Sequence, residues 1–176
     1  IVLAWIEYGN RTLGVIVGIS ILLMTAIAVI YFRKNNKILF SSLLSLFLVI
    51  SNGGLGAIVV SSILNPFIVS LHMILALFLV SVLSYTTIES YKIIDTNKFT
   101  NMYLSKKIST SLILLWIFIV IEILLGTGIR TNIELIAIDN PLFSKGELLS
   151  SLNSYKYLHS ILGFSLLFLS IYLCYL

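Results

Sequence analysis

KILFSSLLSLFLVISNGGLGAIVVSSILNPFIVSLHMILALFLVSVLSYTTIE, residues 37–89, is the stretch that decides the fold. No charge lies between Lys37 and Glu89. A helix rises about 1.5 Å per residue and the hydrocarbon core of a bilayer is about 30 Å thick, so one crossing takes roughly 20 apolar residues and this run holds two. The chain must turn near the middle. Ser61-Ser62-Ile63-Leu64-Asn65-Pro66 supplies the turn, because Pro66 lacks a backbone donor and disfavours helix at the residue before it. Working outward, Arg11 to Arg33 encloses no charge, Lys107 to Arg130 encloses only Glu122, and the chain from Leu158 to Leu176 is predominantly apolar. The pattern predicts transmembrane helices near 5–32, 38–60, 67–88, 108–129 and 154–176. The expected class is therefore an all-α integral membrane bundle with five transmembrane helices.

Composition agrees, since a chain that is 59% hydrophobic and 10% charged cannot cover itself with a soluble surface. The chain opens at Ile1 in sequence already half apolar and stops inside its fifth apolar block, so it reads as part of a longer polypeptide. No signal peptide is visible. Its single cysteine, Cys174, allows neither an intrachain disulfide nor a cysteine metal cluster.

Charge orients the helices, because Lys and Arg accumulate in cytoplasmic loops. Arg33, Lys34 and Lys37 flank one turn, and Lys92, Lys98, Lys106 and Lys107 fill a longer one. The opposite side holds Arg11, Arg130, Lys145 and Lys156, diluted by Glu134, Asp139 and Glu147. The net charge of +4 is then a topology signal. No basic helix with interleaved aromatics lies outside the membrane, which argues against a nucleic-acid partner.

With this orientation all three odd-numbered helices begin outside. Glu7, Asn10 and Arg11 at the start of the first, His72 early in the third and His159 early in the fifth fall at one depth, one or two turns below the outer surface. Polar residues are costly in a membrane helix, so a shared depth suggests a shared site. Glu7 is three and four residues from Asn10 and Arg11, which places all three on one helical face. Gly14 and Gly18 continue that face as a small-xxx-small pair that lets a neighbouring helix or a flat ligand approach. Tyr8-Gly9-Asn10-Arg11-Thr12-Leu13-Gly14 aligns with Tyr157-Leu158-His159-Ser160-Ile161-Leu162-Gly163, keeping Tyr, Leu and Gly. Such a repeat, roughly four helices long, means a protein of two related halves. Histidines paired on facing helices, dry but near one surface, suit axial ligation of haem iron.

Trp5-Ile6-Glu7-Tyr8-Gly9-Asn10-Arg11-Thr12-Leu13-Gly14, Asn52-Gly53-Gly54-Leu55-Gly56-Ala57-Ile58-Val59-Val60 and Pro66-Phe67-Ile68-Val69-Ser70-Leu71-His72-Met73 together resemble the haem A synthase family. Glu122-Ile123-Leu124-Leu125-Gly126-Thr127-Gly128-Ile129-Arg130 and Tyr157-Leu158-His159-Ser160 continue the resemblance over nearly the whole chain. It implies an eight-helix enzyme of two four-helix repeats, of which helices two to six are present. Residues 1–104 would form the N-terminal half with the substrate haem site, and 105–176 a linker helix and the start of the C-terminal half. Haem O would be substrate, its methyl group oxidised to the formyl of haem A for cytochrome oxidase assembly, and haem B the cofactor of the second half. Glu7 would be the acidic residue of the family's Glu-x-x-His-Arg motif, His72 the iron ligand from helix four, and His159 an iron ligand to haem B.

The sequence departs from that pattern twice. Asn10 stands where the motif has His, leaving His72 as the ligand expected in that half, and Ser160 stands where the second copy has Arg. Arg130, at the outer end of its helix, is a candidate substitute for pairing with a propionate, alongside Arg11. The expected setting is a multi-pass protein of a prokaryotic cell membrane with its haem sites toward the outside. Expected partners are haem O, membrane lipid, haem O synthase and oxidase assembly factors, and a homo-oligomer is compatible with the sequence.

Blander readings stand beside these. His72 and His159 can serve only to hydrogen-bond neighbouring helices, and Glu7 can be solvated or paired with Arg11. Glu122, deeper in its helix, suits a hydrogen-bonded structural role or a proton path equally. The Gly53, Gly54 and Gly56 cluster follows no strand, so it reads as close helix packing. A dihaem b-type electron carrier and a non-haem repeat-built transporter are the alternatives to a synthase.

Overall fold

The computed structural model describes residues 2–62, 65–94, 106–152 and 154–175, without the side chains of residues 2–4, 6, 7, 94, 106, 107, 145, 174 and 175. Its elements are α1 (Val2–Tyr31), α2 (Asn36–Ser61), α3 (Pro66–Ile94), α4 (Lys106–Asp139), α5 (Lys145–Ser151) and α6 (Tyr155–Tyr175). All but α5 are long and apolar enough to cross a membrane, over Tyr8–Tyr31, Asn36–Ser61, Pro66–Ile93, Ile108–Asp139 and Tyr155–Leu173. The protein is all-α and multi-pass.

Helix ends follow local chemistry. Phe32 N–H still donates to Ala28 C=O at 2.9 Å, the Arg33–Lys34 turn follows, and Asn35 Oδ1 accepts from the amides of Lys37 and Ile38 at 3.2 and 3.4 Å. That cap supplies partners for donors that the first turn of α2 leaves open. After α2, Asn65 Oδ1 accepts from Phe67 N–H at 3.0 Å and Pro66 takes the first position of α3. Its missing N–H costs nothing there, so the expected breaker opens a helix.

Two expected boundaries are corrected. α3 continues to Ile94 rather than 88, and α4 continues to Asp139 rather than stopping near Arg130. At 34 residues α4 is about 51 Å long, well beyond the hydrocarbon core. It stops only before Pro141, which cannot continue a helix. The loop beyond it holds the unexpected α5. Ser144 Oγ accepts from Glu147 N–H while Ser144 N–H donates to Glu147 Oε2 at 2.7 Å, a reciprocal capping box. The backbone donor of Ser144, then its side chain, hold the Glu147 carboxyl below its ordinary value.

The chain packs as two units, residues 1–63 with 72–102, and residues 64–71 with 103–176. The first residues of α3 group with the second unit. There Ser70 Oγ donates to Thr127 Oγ1 at 2.7 Å, and Thr127 Oγ1 donates in turn to the Ile123 carbonyl at 3.0 Å.

In the first unit α1 and α2 form a close pair. Its seam carries small hydroxyl residues: Thr25, Ser41, Ser42 and Ser45 are buried beside Ile21, Ala28, Ile38 and Leu48. Thr25 Oγ1 donates to Ser42 C=O at 3.1 Å, joining the two helices directly. Large apolar groups such as Leu13, Ile30 and Phe40 are exposed instead. Hydroxyls inside and hydrocarbon outside is the order expected when the solvent is lipid, because tails are as apolar as leucine and helices associate through close packing and polar links. Ile21, Leu48 and Leu79 form a small apolar core with Met24, Leu44 and Leu75 around it. In the second unit α4 pairs with α6.

Candidate functional site

His72 lies in the second turn of α3, and its ring sits against α2. Its Nδ1 is 3.1 Å from the carbonyl oxygen of Asn52, and a Cβ added to Gly56 would stand 3.4 Å from its Cε1. Asn52 and Gly56 are one turn apart, so the carbonyl holds one edge of the ring while the missing side chain makes room for it. Nε2 has no hydrogen-bond partner among the described residues.

His159 repeats this arrangement with different atoms. It lies in the second turn of α6, and its ring is laid on Gly126 of α4, where an added Cβ would be 3.1 Å from Cε1. One turn earlier on α4, Glu122 brings Oε1 to 2.8 Å from His159 Nδ1. Nδ1 and Glu122 Oε2 are both buried without a hydrogen-bond partner, so the 2.8 Å approach of Oε1 to Nδ1 is a close contact that is not aligned along the N–H axis. Gly163, one turn after His159, receives the carboxyl: a Cβ there would meet Oε1 at 2.9 Å.

The remaining expected residues are placed less tightly. Glu7 belongs to the helical backbone of α1, but its side chain lies outside the described residues. Asn10 and Arg11 are exposed on α1. Arg130 Nε donates to Glu134 Oε1 at 3.0 Å, with both side chains about half exposed. An exposed pair of this kind contributes little and exchanges readily. Among the described residues no helix packs closely over Gly14, Gly18, Gly53 or Gly54, since a Cβ at each would meet nothing within 4 Å; the space over Gly14 and Gly18 stays open to a flat ligand, the other expectation there. Ile21, Thr25 and Ala28 carry the α1–α2 seam instead, and of the Gly53, Gly54 and Gly56 cluster only Gly56 has a close neighbour.

A sequence profile of a family described as cytochrome oxidase assembly protein matches residues 2–175. The chain belongs to this family. It is the haem A synthase family that the motifs resemble. No curated protein and no solved structure matches the chain.

The histidines fit the haem that the family implies. A metal-bound imidazole holds its second nitrogen on a carbonyl or carboxylate, which fixes the tautomer and the ring plane. His72 Nδ1 is held by Asn52 C=O and His159 Nδ1 faces Glu122, so in each ring Nε2 would be the nitrogen to hold iron if haem were bound. Asn10 offers an amide, a poor ligand for haem iron. Sequence reasoning singled out both histidines as candidates but missed Asn52, Gly56, Gly126 and Gly163 as the groups packed against them. The available signal was a polar residue four before a glycine, in Asn52/Gly56, Glu122/Gly126 and His159/Gly163.

Proposed function

We propose that the protein is a haem A synthase, a membrane oxidoreductase that oxidises a methyl group of haem O through a hydroxymethyl to the formyl of haem A, with water supplying the oxygen atom and a one-electron acceptor outside the chain taking up the four electrons released with four protons. Its role at the coarser level, cytochrome oxidase assembly, follows from the family. The observation that supports the finer reading is that each unit builds one histidine with an oxygen close to Nδ1, the Asn52 carbonyl or the Glu122 carboxyl, and a glycine under its ring. Two separate histidine sites suit one substrate haem and one cofactor haem.

His72 holds the substrate haem O in the first unit, and His159 holds haem B in the second. Haem B bound there supplies one-electron redox chemistry. Arg11 and Arg130 serve the propionates, for which Arg130 exchanges Glu134 for a carboxylate of the ligand. Asn10, in place of a second histidine, leaves the distal face of the substrate to water or a small ligand, which its amide can hydrogen-bond. Glu7 lies one turn before Asn10 on α1 and is the group that accepts a proton released as the methyl is oxidised.

Glu7→Gln tests this reading. The variant stays folded and haem-bound but stops before the formyl product, so haem O or its hydroxymethyl form accumulates in extracted pigment. Normal amounts of haem A from Glu7→Gln remove the carboxylate from catalysis and leave Glu7 an interfacial ion-pair partner of Arg11.

A further inference from the structure

We infer that Glu122 is the positioning residue of His159, and that it sets the reduction potential of the second-unit haem below that of the first. The inference rests on the proposed binding of haem at His159.

The two histidines have chemically unlike partners. His72 Nδ1 faces a neutral backbone carbonyl, that of Asn52, whereas His159 Nδ1 faces a side-chain carboxylate at 2.8 Å. A carboxylate this close to the remote nitrogen, once the ring turns its N–H into line, draws that proton more strongly than a carbonyl does, makes the imidazole a better electron donor and favours the ferric over the ferrous state.

The geometry shows that the pairing is built rather than incidental. Glu122 and Gly126 are one turn apart on α4, and His159 and Gly163 are one turn apart on α6. Each polar side chain occupies the space over the other helix's glycine. A Cβ at Gly163 would stand 2.9 Å from Glu122 Oε1, and a Cβ at Gly126 would stand 3.1 Å from His159 Cε1. The two helices are thus keyed to admit this carboxylate and this imidazole together. A carboxyl in the middle of a transmembrane helix is costly and marks function by default. Glu122 Oε2 is buried with no hydrogen-bond partner, so among the described residues its compensation comes from His159 alone. The Arg130–Glu134 pair two turns further on shows the contrast, being exposed and confined to one helix.

Redox titration of the purified, haem-loaded protein tests this with Glu122→Gln, which keeps size and shape. Removal of a metal ligand's supporting partner costs tenfold to hundredfold. Expressed as the relative affinity for the two oxidation states, that is a rise in the second-unit midpoint of about 60–120 mV at 59 mV per decade. The first-unit midpoint should not move. Gly163→Ala provides a second route, because it displaces Oε1 while keeping the carboxyl, and should shift the same midpoint upward by less. Loss of the second-unit haem alone from either variant equally supports a positioning role. Unchanged midpoints in both variants, with the haem still lost on His159→Ala, overturn the inference and leave the ligand assignment standing. Retention of the haem by His159→Ala overturns the ligand assignment itself.

Discussion

Replacing Gly126 by alanine separates the close packing under His159 from ordinary helix propensity. The new Cβ would stand 3.1 Å from His159 Cε1. Unstrained carbon contacts lie at about 3.5–4.0 Å, so the ring must retreat by roughly 0.4–0.9 Å or α4 must part from α6. Overpacking of this kind costs about 1–3 kcal/mol, against which Gly→Ala in a helix interior returns about 1 kcal/mol. The net expectation for Gly126→Ala is a loss of roughly 0–2 kcal/mol. Gly128, two residues on, has nothing within 4 Å of its Cβ position among the described residues, so Gly128→Ala keeps the whole propensity gain. Gly56→Ala falls between them, because its Cβ would meet His72 Cε1 at 3.4 Å and the ring need yield only slightly. Thermal unfolding in detergent, followed by circular dichroism and by haem absorbance, ranks the three. Gly126→Ala should be the least stable and should weaken the low-spin signal of the second-unit haem, while Gly128→Ala should leave that signal intact. Gly126→Ala as stable as Gly128→Ala, with the haem signal unchanged, refutes the reasoning.

Breaking the buried Ser70–Thr127 hydrogen bond, 2.7 Å long, should cost about 0.6 kcal/mol and at most about 1.7 kcal/mol. A double-mutant cycle of Ser70→Ala and Thr127→Ala measures it, and additive losses would deny the coupling. Because Ser144 holds the Glu147 carboxyl below its ordinary 4.5, the capping box stabilises α5 above that pH and loses its contribution as pH falls through the lower folded value. The protection of α5 amides, corrected for the intrinsic pH dependence of exchange, should therefore fall on acidification below 4.5; Ser144→Ala, which keeps the backbone donor, should reduce this dependence and Glu147→Gln should abolish it. The distribution of Lys and Arg predicts that cysteines introduced singly as Lys98→Cys and Lys145→Cys react with an impermeant reagent from opposite faces, Lys145→Cys from outside. Labelling of Lys98→Cys from outside intact cells reverses the orientation.

The five long helices were legible because charge, Glu122 apart, is confined to the ends of the apolar runs, and a bilayer reads that spacing directly. What hydropathy could not show was where a helix outlives the membrane. α4 runs past Arg130 because nothing before Pro141 breaks it, and its mixed residues 130–139 look like loop when judged by polarity alone. α5 was written in the Ser144-x-x-Glu147 capping box, a local hydrogen-bond signal that a search for apolar blocks passes over. At the site, His72 and His159 stood out because isolated imidazoles are rare in apolar runs. Their supports did not, since Asn52 contributes only its backbone carbonyl and Gly126 and Gly163 contribute an absence of side chain. Glu122 was conspicuous in the sequence, but its role needed the pairing of α4 with α6, which no local spacing encodes.

The most direct test of haem O oxidation is the mass of the pigment extracted from membranes of a host that makes haem O and no haem A, with and without this protein. The expected result is a formyl-bearing haem A that appears only when the protein is present and disappears with His72→Ala. Membranes that contain the folded protein and haem B, yet retain haem O unconverted, contradict a synthase and make the chain a b-type electron carrier.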